Sequence, residues 1–137
     1  MKTHPNFALL LTRLGIGAVF IHAGLFKFVK LGVGAFVAGS EKSIPNYLPH
    51  AIGKAYLYAV PFAELIVGVC LVVGFWTRLM SFIAALMLLS FMMAVTGFLD
   101  HGGPHGSLVY MCVALGIALI GPGAYSLDAK LGKRKQA

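Results

Sequence analysis

Acidic residues are almost missing from this chain. Only four of its 137 residues are Asp or Glu (Glu41, Glu64, Asp100 and Asp128), and Lys and Arg together number 11. Charged residues therefore make up 11% of the sequence, against about a quarter in a soluble domain. So few charges cannot clothe a water-facing exterior, which excludes an ordinary soluble fold and leaves lipid against much of the surface. Cysteine is nearly as scarce. Cys70 and Cys112 stand alone in separate apolar stretches, without C-x-x-C or metal-ligand spacing. A disulfide framework and a dithiol motif are thereby excluded, and the two read as small apolar fillers within the bundle. Long polar segments are absent too, so no soluble catalytic module fits beside the apolar ones in a chain of one domain's length. The formal net charge of +7 does not imply nucleic acid. Its densest run (Lys130, Lys133, Arg134 and Lys135) follows directly on the last apolar stretch, where anionic lipid lies, and reads as a topology signal.

Apolar sequence is what abounds: 59% hydrophobic residues, with a mean hydropathy of +0.88. It is gathered into four stretches, roughly residues 7–28, 55–76, 79–98 and 107–122. Each approaches the ~20 residues that carry an α-helix across a bilayer, the fourth being the shortest. The predicted fold is all-α: a polytopic four-transmembrane-helix bundle forming one domain over residues 1–137. The first stretch resembles a signal peptide in having Lys2 before an apolar centre. It contains Arg13, however, is too long for an h-region and lacks a small-x-small cleavage site, so it reads as a retained helix. Four spans put both termini on one side. Lys2, Arg13, Arg78, Lys130, Lys133, Arg134 and Lys135 fall on or near that face, against Lys27, Lys30, Lys42 and Lys54 on the other. The positive-inside rule then places both termini in the cytoplasm and the chain in a bacterial inner membrane.

The only long connection, between Val29 and Lys54, holds Gly32, Gly34 and Gly39, a polar Ser40-Glu41-Lys42-Ser43 group, Pro45 and Pro49. Val33, Phe36 and Val37, at i, i+3 and i+4, predict a short amphipathic helix lying in the outer interface. Pro61 falls inside the second helix, frees the carbonyl of Leu57 and predicts a kink. The third stretch carries Met80, Met87, Met92 and Met93. These do not share one face, so adaptable packing explains them better than a soft-metal path. Asp100-His101-Gly-Gly-Pro-His105-Gly sets two histidines and a carboxylate within six residues. His101 and His105 are thus metal-ligand candidates, although a glycine-rich loop also commonly carries surface histidines. Ala114 and Ala118 form a small-x-x-x-small pair in the last helix, which Gly121-Pro122-Gly123 then ends.

Ionisable residues inside the spans carry the most information, because a charge at membrane depth costs at least ~2.5–3.5 kcal/mol and turns inward to a partner. Arg13, His22 and Glu64 qualify as a candidate intramembrane polar site. Helix rise places Arg13 about 9 Å and Glu64 about 18 Å from the cytoplasmic side, with His22 about 22 Å deep. Arg13 and His22, nine residues apart, lie on opposite faces of one helix, so a single carboxylate cannot serve both. Arg13 shares its face with Gly17, Phe20, Gly24 and Lys27. Two readings stay open: an Arg13–Glu64 ion pair that sets helix register, and a polar lining for a small molecule or proton.

Several short motifs resemble the DoxX family of small bacterial membrane proteins. They are Arg13-Leu-Gly-x-Gly, His22-Ala-Gly-x-x-Lys27, Pro61-Phe-Ala-Glu64-Leu-x-x-Gly68, Gly74-Phe-Trp-Thr77-Arg78 and Gly121-Pro-Gly-Ala-Tyr125-Ser-Leu-Asp128. The resemblance spans nearly the whole chain and implies a four-helix bundle with an external segment after helix one. It implies roles for Arg13, Glu64, Thr77, Arg78, Tyr125 and Asp128, the last four suggesting a cytoplasmic rivet in which Arg78 bridges to Asp128. Pro61 and the Gly121–Gly123 turn are expected to be structural. By the same resemblance, the function expected is an accessory subunit of a quinone-linked membrane redox complex, without chemistry of its own. Quinone is the one cofactor this admits, held by Arg13, His22 and Glu64 between helices one and two. Partners are lipid and other membrane or redox subunits, or further copies of the chain. The alternatives are a structural or assembly protein and a small-solute or metal-handling transporter.

Overall fold

A computed structural model describes residues 5–96 and 105–134. Helix α1 (Pro5–Leu25) runs into a π-helical turn at Phe26–Leu31. A short α2 (Val33–Ser40) follows, with a 3-10 turn at Glu41–Ser43, then α3 (His50–Val73), α4 (Thr77–Thr96), α5 (His105–Ile120) and α6 (Leu127–Arg134). The chain is all-helical, and no strand occurs among the described residues. Two helical stretches, Pro5–Leu31 with 27 residues and His50–Val73 with 24, are long and apolar enough to cross a membrane. Among the described residues, the apolar parts of α4 and α5 are Thr77–Met93 and Ser107–Ile120.

The element boundaries follow local chemistry. Pro49 starts α3 five residues before the expected position, its carbonyl accepting the Ile52 and Gly53 amides. The helix continues past Pro61, which is buried against its neighbours. Gly74 ends it in the left-handed region (φ 77°), where its amide and that of Phe75 both return to the Cys70 carbonyl. This is the glycine C-cap that an L side chain would strain. The α3–α4 turn is therefore Gly74–Phe75–Trp76, ahead of the break expected between the stretches 55–76 and 79–98. Trp76 itself adopts φ 47°, an uncommon conformation for a bulky residue.

Four helices share one core: Ile16 and Phe20 of α1, Val67 and Leu71 of α3, Ala84, Ala85, Met87 and Leu88 of α4, and Ala114 and Ile117 of α5. Within it α1 lies closest to α3, and α4 to α5. The α1–α3 crossing is tight because glycines meet there. A Cβ on Gly17 would stand 2.9 Å from the Gly68 carbonyl oxygen, and one on Gly68 would stand 2.8 Å from the Ile21 amide. Helix α2 turns the expected Val33–Phe36–Val37 face inward, with Val37 fully buried, while Gly34, Ala35, Ala38 and Gly39 are exposed. Outward faces are as apolar as the core. Phe62, Ile66, Val69, Phe82, Leu86, Val109, Leu119 and Ile120 are all exposed.

Candidate functional site

The inward charges of α1 and α3 sort into two clusters at opposite ends of the bundle. At one end is Arg13. Helix α1 buries the stripe Arg13, Ile16, Gly17, Phe20 and Gly24, so the guanidinium is carried inside and is only 2% exposed. It does not reach Glu64. Its Nη1 donates to the Pro122 carbonyl and its Nη2 to the Tyr125 carbonyl, each at 2.7 Å, while Nε has no partner among the described residues. The two prongs of the guanidinium thus clamp the segment that follows α5, a use of the planar fork that lysine cannot copy. Gly74 leaves the space: a Cβ there would lie 2.7 Å from Arg13 Nη1.

The clamped segment is folded for the purpose. Gly121 (φ 102°) and Gly123 (φ 70°) reverse the chain after α5, and Asn6 Oδ1 accepts the Ala124 amide at 3.2 Å. Ser126 caps α6, its Oγ accepting the Ala129 amide and donating to the Gly123 carbonyl. Asp128 then joins this segment to the α3–α4 turn. Its two carboxylate oxygens accept the Trp76 and Thr77 amides at 2.8 Å each, and its own amide donates to the Gly74 carbonyl at 3.0 Å. The expected Arg78–Asp128 bridge does not form. Asp128 is occupied by the amides that open α4, where a carboxylate satisfies orphan donors and favours the positive end of the helix dipole. Arg78 instead lies exposed beside Gly121. Asp128→Ala should lower unfolding free energy by about 0.5–2 kcal/mol and Asp128→Asn by much less, measured by thermal unfolding in detergent.

At the other end is Glu64. It belongs to the α3 stripe Val60, Pro61, Glu64, Val67, Gly68 and Leu71, which faces α1. Its partner is Lys27, whose Nζ donates to Oε1 at 2.6 Å and to Oε2 at 2.7 Å. The Glu64 side chain is 2% exposed and that of Lys27 16%. Lys27 sits in the π-helical turn, a distortion that tends to occur where a side chain must be aimed. Two rings cover the ammonium, with Phe36 of α2 at 5.1 Å and Phe91 of α4 at 5.9 Å from their centroids. Four elements therefore enclose one bidentate ion pair. Beyond it a second pair, Lys54–Glu41 at 2.7 Å, ties the start of α3 to the 3-10 turn. The hydrogen bond from Lys54 holds the half-buried Glu41 carboxyl below its ordinary range.

Of the three residues expected to line one site, none meets another. Arg13 and Glu64 serve different clusters, and His22 is exposed on the outer surface of α1. Lys27, the partner that Glu64 does have, lies outside the expected set of Arg13, His22 and Glu64. Its signal was its shared helical face with Arg13, Gly17, Phe20 and Gly24. Cys70 is half-buried, whereas Cys112 is exposed and so is not a filler inside the bundle. Of the loop histidines, His101 lies outside the described residues. His105 opens α5. No three His, Cys, Asp or Glu side chains gather as a metal set among the described residues.

Neither a curated protein nor a solved structure matches this chain. The family model that does match is that of methylamine utilisation protein MauE, over residues 5–107. That finding overturns the resemblance to the DoxX family. The motifs that carried the resemblance are explained by local physics: Gly17 and Gly68 permit a close helix crossing, Gly74 a left-handed cap, and Gly121 and Gly123 a reversal. Similar requirements arise in any small bundle of closely crossing helices, and such motifs do not identify a family. With the match running from the first turn of α1 to the start of α5, the chain belongs to the MauE family.

Proposed function

We propose that this chain is a membrane-embedded accessory subunit of a redox-linked system of the methylamine utilisation kind, holding partner subunits without performing chemistry itself. The observation that carries this reading is the fate of the buried charges. Glu64 is closed off by Lys27 and two aromatic rings, and Arg13 is spent on two backbone carbonyls. Charges so engaged act as fasteners between helices. The family supports the setting, since its description concerns methylamine utilisation.

In this reading α1, α3, α4 and α5 all lie in the bilayer of a bacterial cytoplasmic membrane, with both termini on the cytoplasmic side. The apolar outward faces of all four helices support it, because a soluble monomer rarely exposes apolar surface on this scale. Arg78 and Lys130 then lie beside the inner headgroups. Purification of the full chain from its native membrane in mild detergent tests the proposal. A second membrane or redox protein should accompany it in near-stoichiometric amount. Glu64→Gln should change that partner's activity only in proportion to the folded chain recovered. A chain isolated alone, or activity lost at full recovery of the folded complex, would contradict the subunit role.

A further inference from the structure

A cavity of about 360 Å³ lies at the Lys27 end, between the α2–α3 connection and the facing sides of α3 and α4. Its volume is at the lower end of the range for small-molecule sites, about 300–1,000 Å³. Ile44, Leu48, Leu57, Phe91 and Met93 supply its walls. Two hydroxyls from the helices border it, Tyr56 and Ser90, and they are already engaged. Ser90 Oγ donates to the Met87 carbonyl at 2.7 Å, so the hydrogen between Tyr56 and Ser90 is the tyrosine's. Water needs two to four polar partners to stay in such a space, and these walls do not offer them. Such walls suit an apolar occupant.

The connection supplies the other half of a site. Ser40 and Ser43 line the cavity from the turn after α2, and neither hydroxyl has a partner among the described residues. Lys42 stands between them in sequence, exposed and without an ion-pair partner among the described residues. The nearby Lys54 is matched by Glu41, whereas Lys42 has no such match among the described residues. An apolar recess bordered by free hydroxyls, with an exposed cation in the same turn, complements an anionic lipid of the surrounding membrane. We propose that this cavity binds one acyl chain of an anionic phospholipid, whose phosphate head is held by Ser40, Lys42 and Ser43. The proposal rests on the membrane placement given above but not on the subunit role. Seated there, the chain abuts Phe91, the ring that covers the Lys27–Glu64 pair.

The test is native mass spectrometry of the full chain after exchange into detergent containing equal phosphatidylglycerol and phosphatidylcholine with matched acyl chains. One phosphatidylglycerol should be retained per chain, favoured roughly fivefold, the factor that about 1 kcal/mol for one lysine near the headgroups represents. Lys42→Gln should abolish the preference. Ile52→Trp, at an exposed position lining the cavity, should fill the recess and abolish retention of both lipids. Equal retention of the two lipids, or retention unchanged in Ile52→Trp, would overturn the proposal. Matched thermal unfolding of both variants keeps misfolding from being read as loss of a site. A chain that stays monodisperse with detergent removed would instead refute the membrane placement itself.

Discussion

Arg13→Met should lower the unfolding free energy of the detergent-solubilised chain by about 3–5 kcal/mol, the range for breaking a buried charged interaction by removing one partner. Two effects combine. The charge-assisted bonds to Pro122 and Tyr125 are lost, each worth about 1.5–3 kcal/mol, and both carbonyls are left facing an apolar side chain. Around the clamp, Gly74 brings only backbone and Asp128 is an acceptor committed to Trp76 and Thr77. Arg13→Lys keeps the charge, but one ammonium cannot reproduce the spread of two prongs, so about half the loss should remain. The damage should be local at first. The segment from Gly121 to α6 would come free before the helices part, and amide exchange of Ala124 and Ala129 should rise ahead of that in α3. Arg78→Gln supplies the contrast. It is exposed and has no ion pair among the described residues, so its effect should stay within about 0.5 kcal/mol, measured in the same unfolding assay.

Lys27→Met should be as costly as Arg13→Met, about 3–5 kcal/mol, for a different reason. It strands the Glu64 carboxylate, which is 2% exposed and has no other partner among the described residues. Removing both charges should be far milder. In Lys27→Met/Glu64→Leu the desolvation cost disappears along with the attraction, and apolar replacements of a buried pair are often neutral or stabilising. A double variant nearly as stable as the natural chain, beside a crippled Lys27→Met, would identify the pair as a device for matching helices. The match fixes which face of α3 meets α1 and where α2 and α4 close over it, through Phe36 and Phe91. Recovery of the complex's activity in the double variant would extend that conclusion from stability to function.

Much of this was legible from the chain alone, and the boundary has a physical cause. Apolar runs and the Val33–Phe36–Val37 spacing report helices and the face each buries, since rotation about a helix axis is written in its periodicity. The Gly121–Gly123 turn could be read in the same way, as glycines where φ must be positive. What periodicity does not report is how far one helix slides along another. Arg13 and Glu64 both face inward, and rise counted from the cytoplasmic ends expected at residues 7 and 76 brings them near enough in depth to suggest a pair. The offset is set by glycines. Gly17 lies against Gly68 and Gly24 against Pro61 and Leu65, so Glu64 sits at the level of the turns after Ile21 while Arg13 sits beside Gly74. That displacement hands Glu64 to Lys27. The Arg78–Asp128 expectation failed on a related point. Opposite charges on one face suggest a bridge, but the free amides at the start of a helix compete for the same carboxylate and here they hold it.

The central claim is that the charges inside the bundle are matched in two separate clusters, and a pair of double-mutant cycles tests it most directly. The cycle over Lys27 and Glu64 should return a coupling above about 2 kcal/mol, and the cycle over Arg13 and Glu64 a coupling within about 0.5 kcal/mol of zero. The reverse order, with Arg13 coupled strongly to Glu64 and Lys27 indifferent to it, would contradict the account.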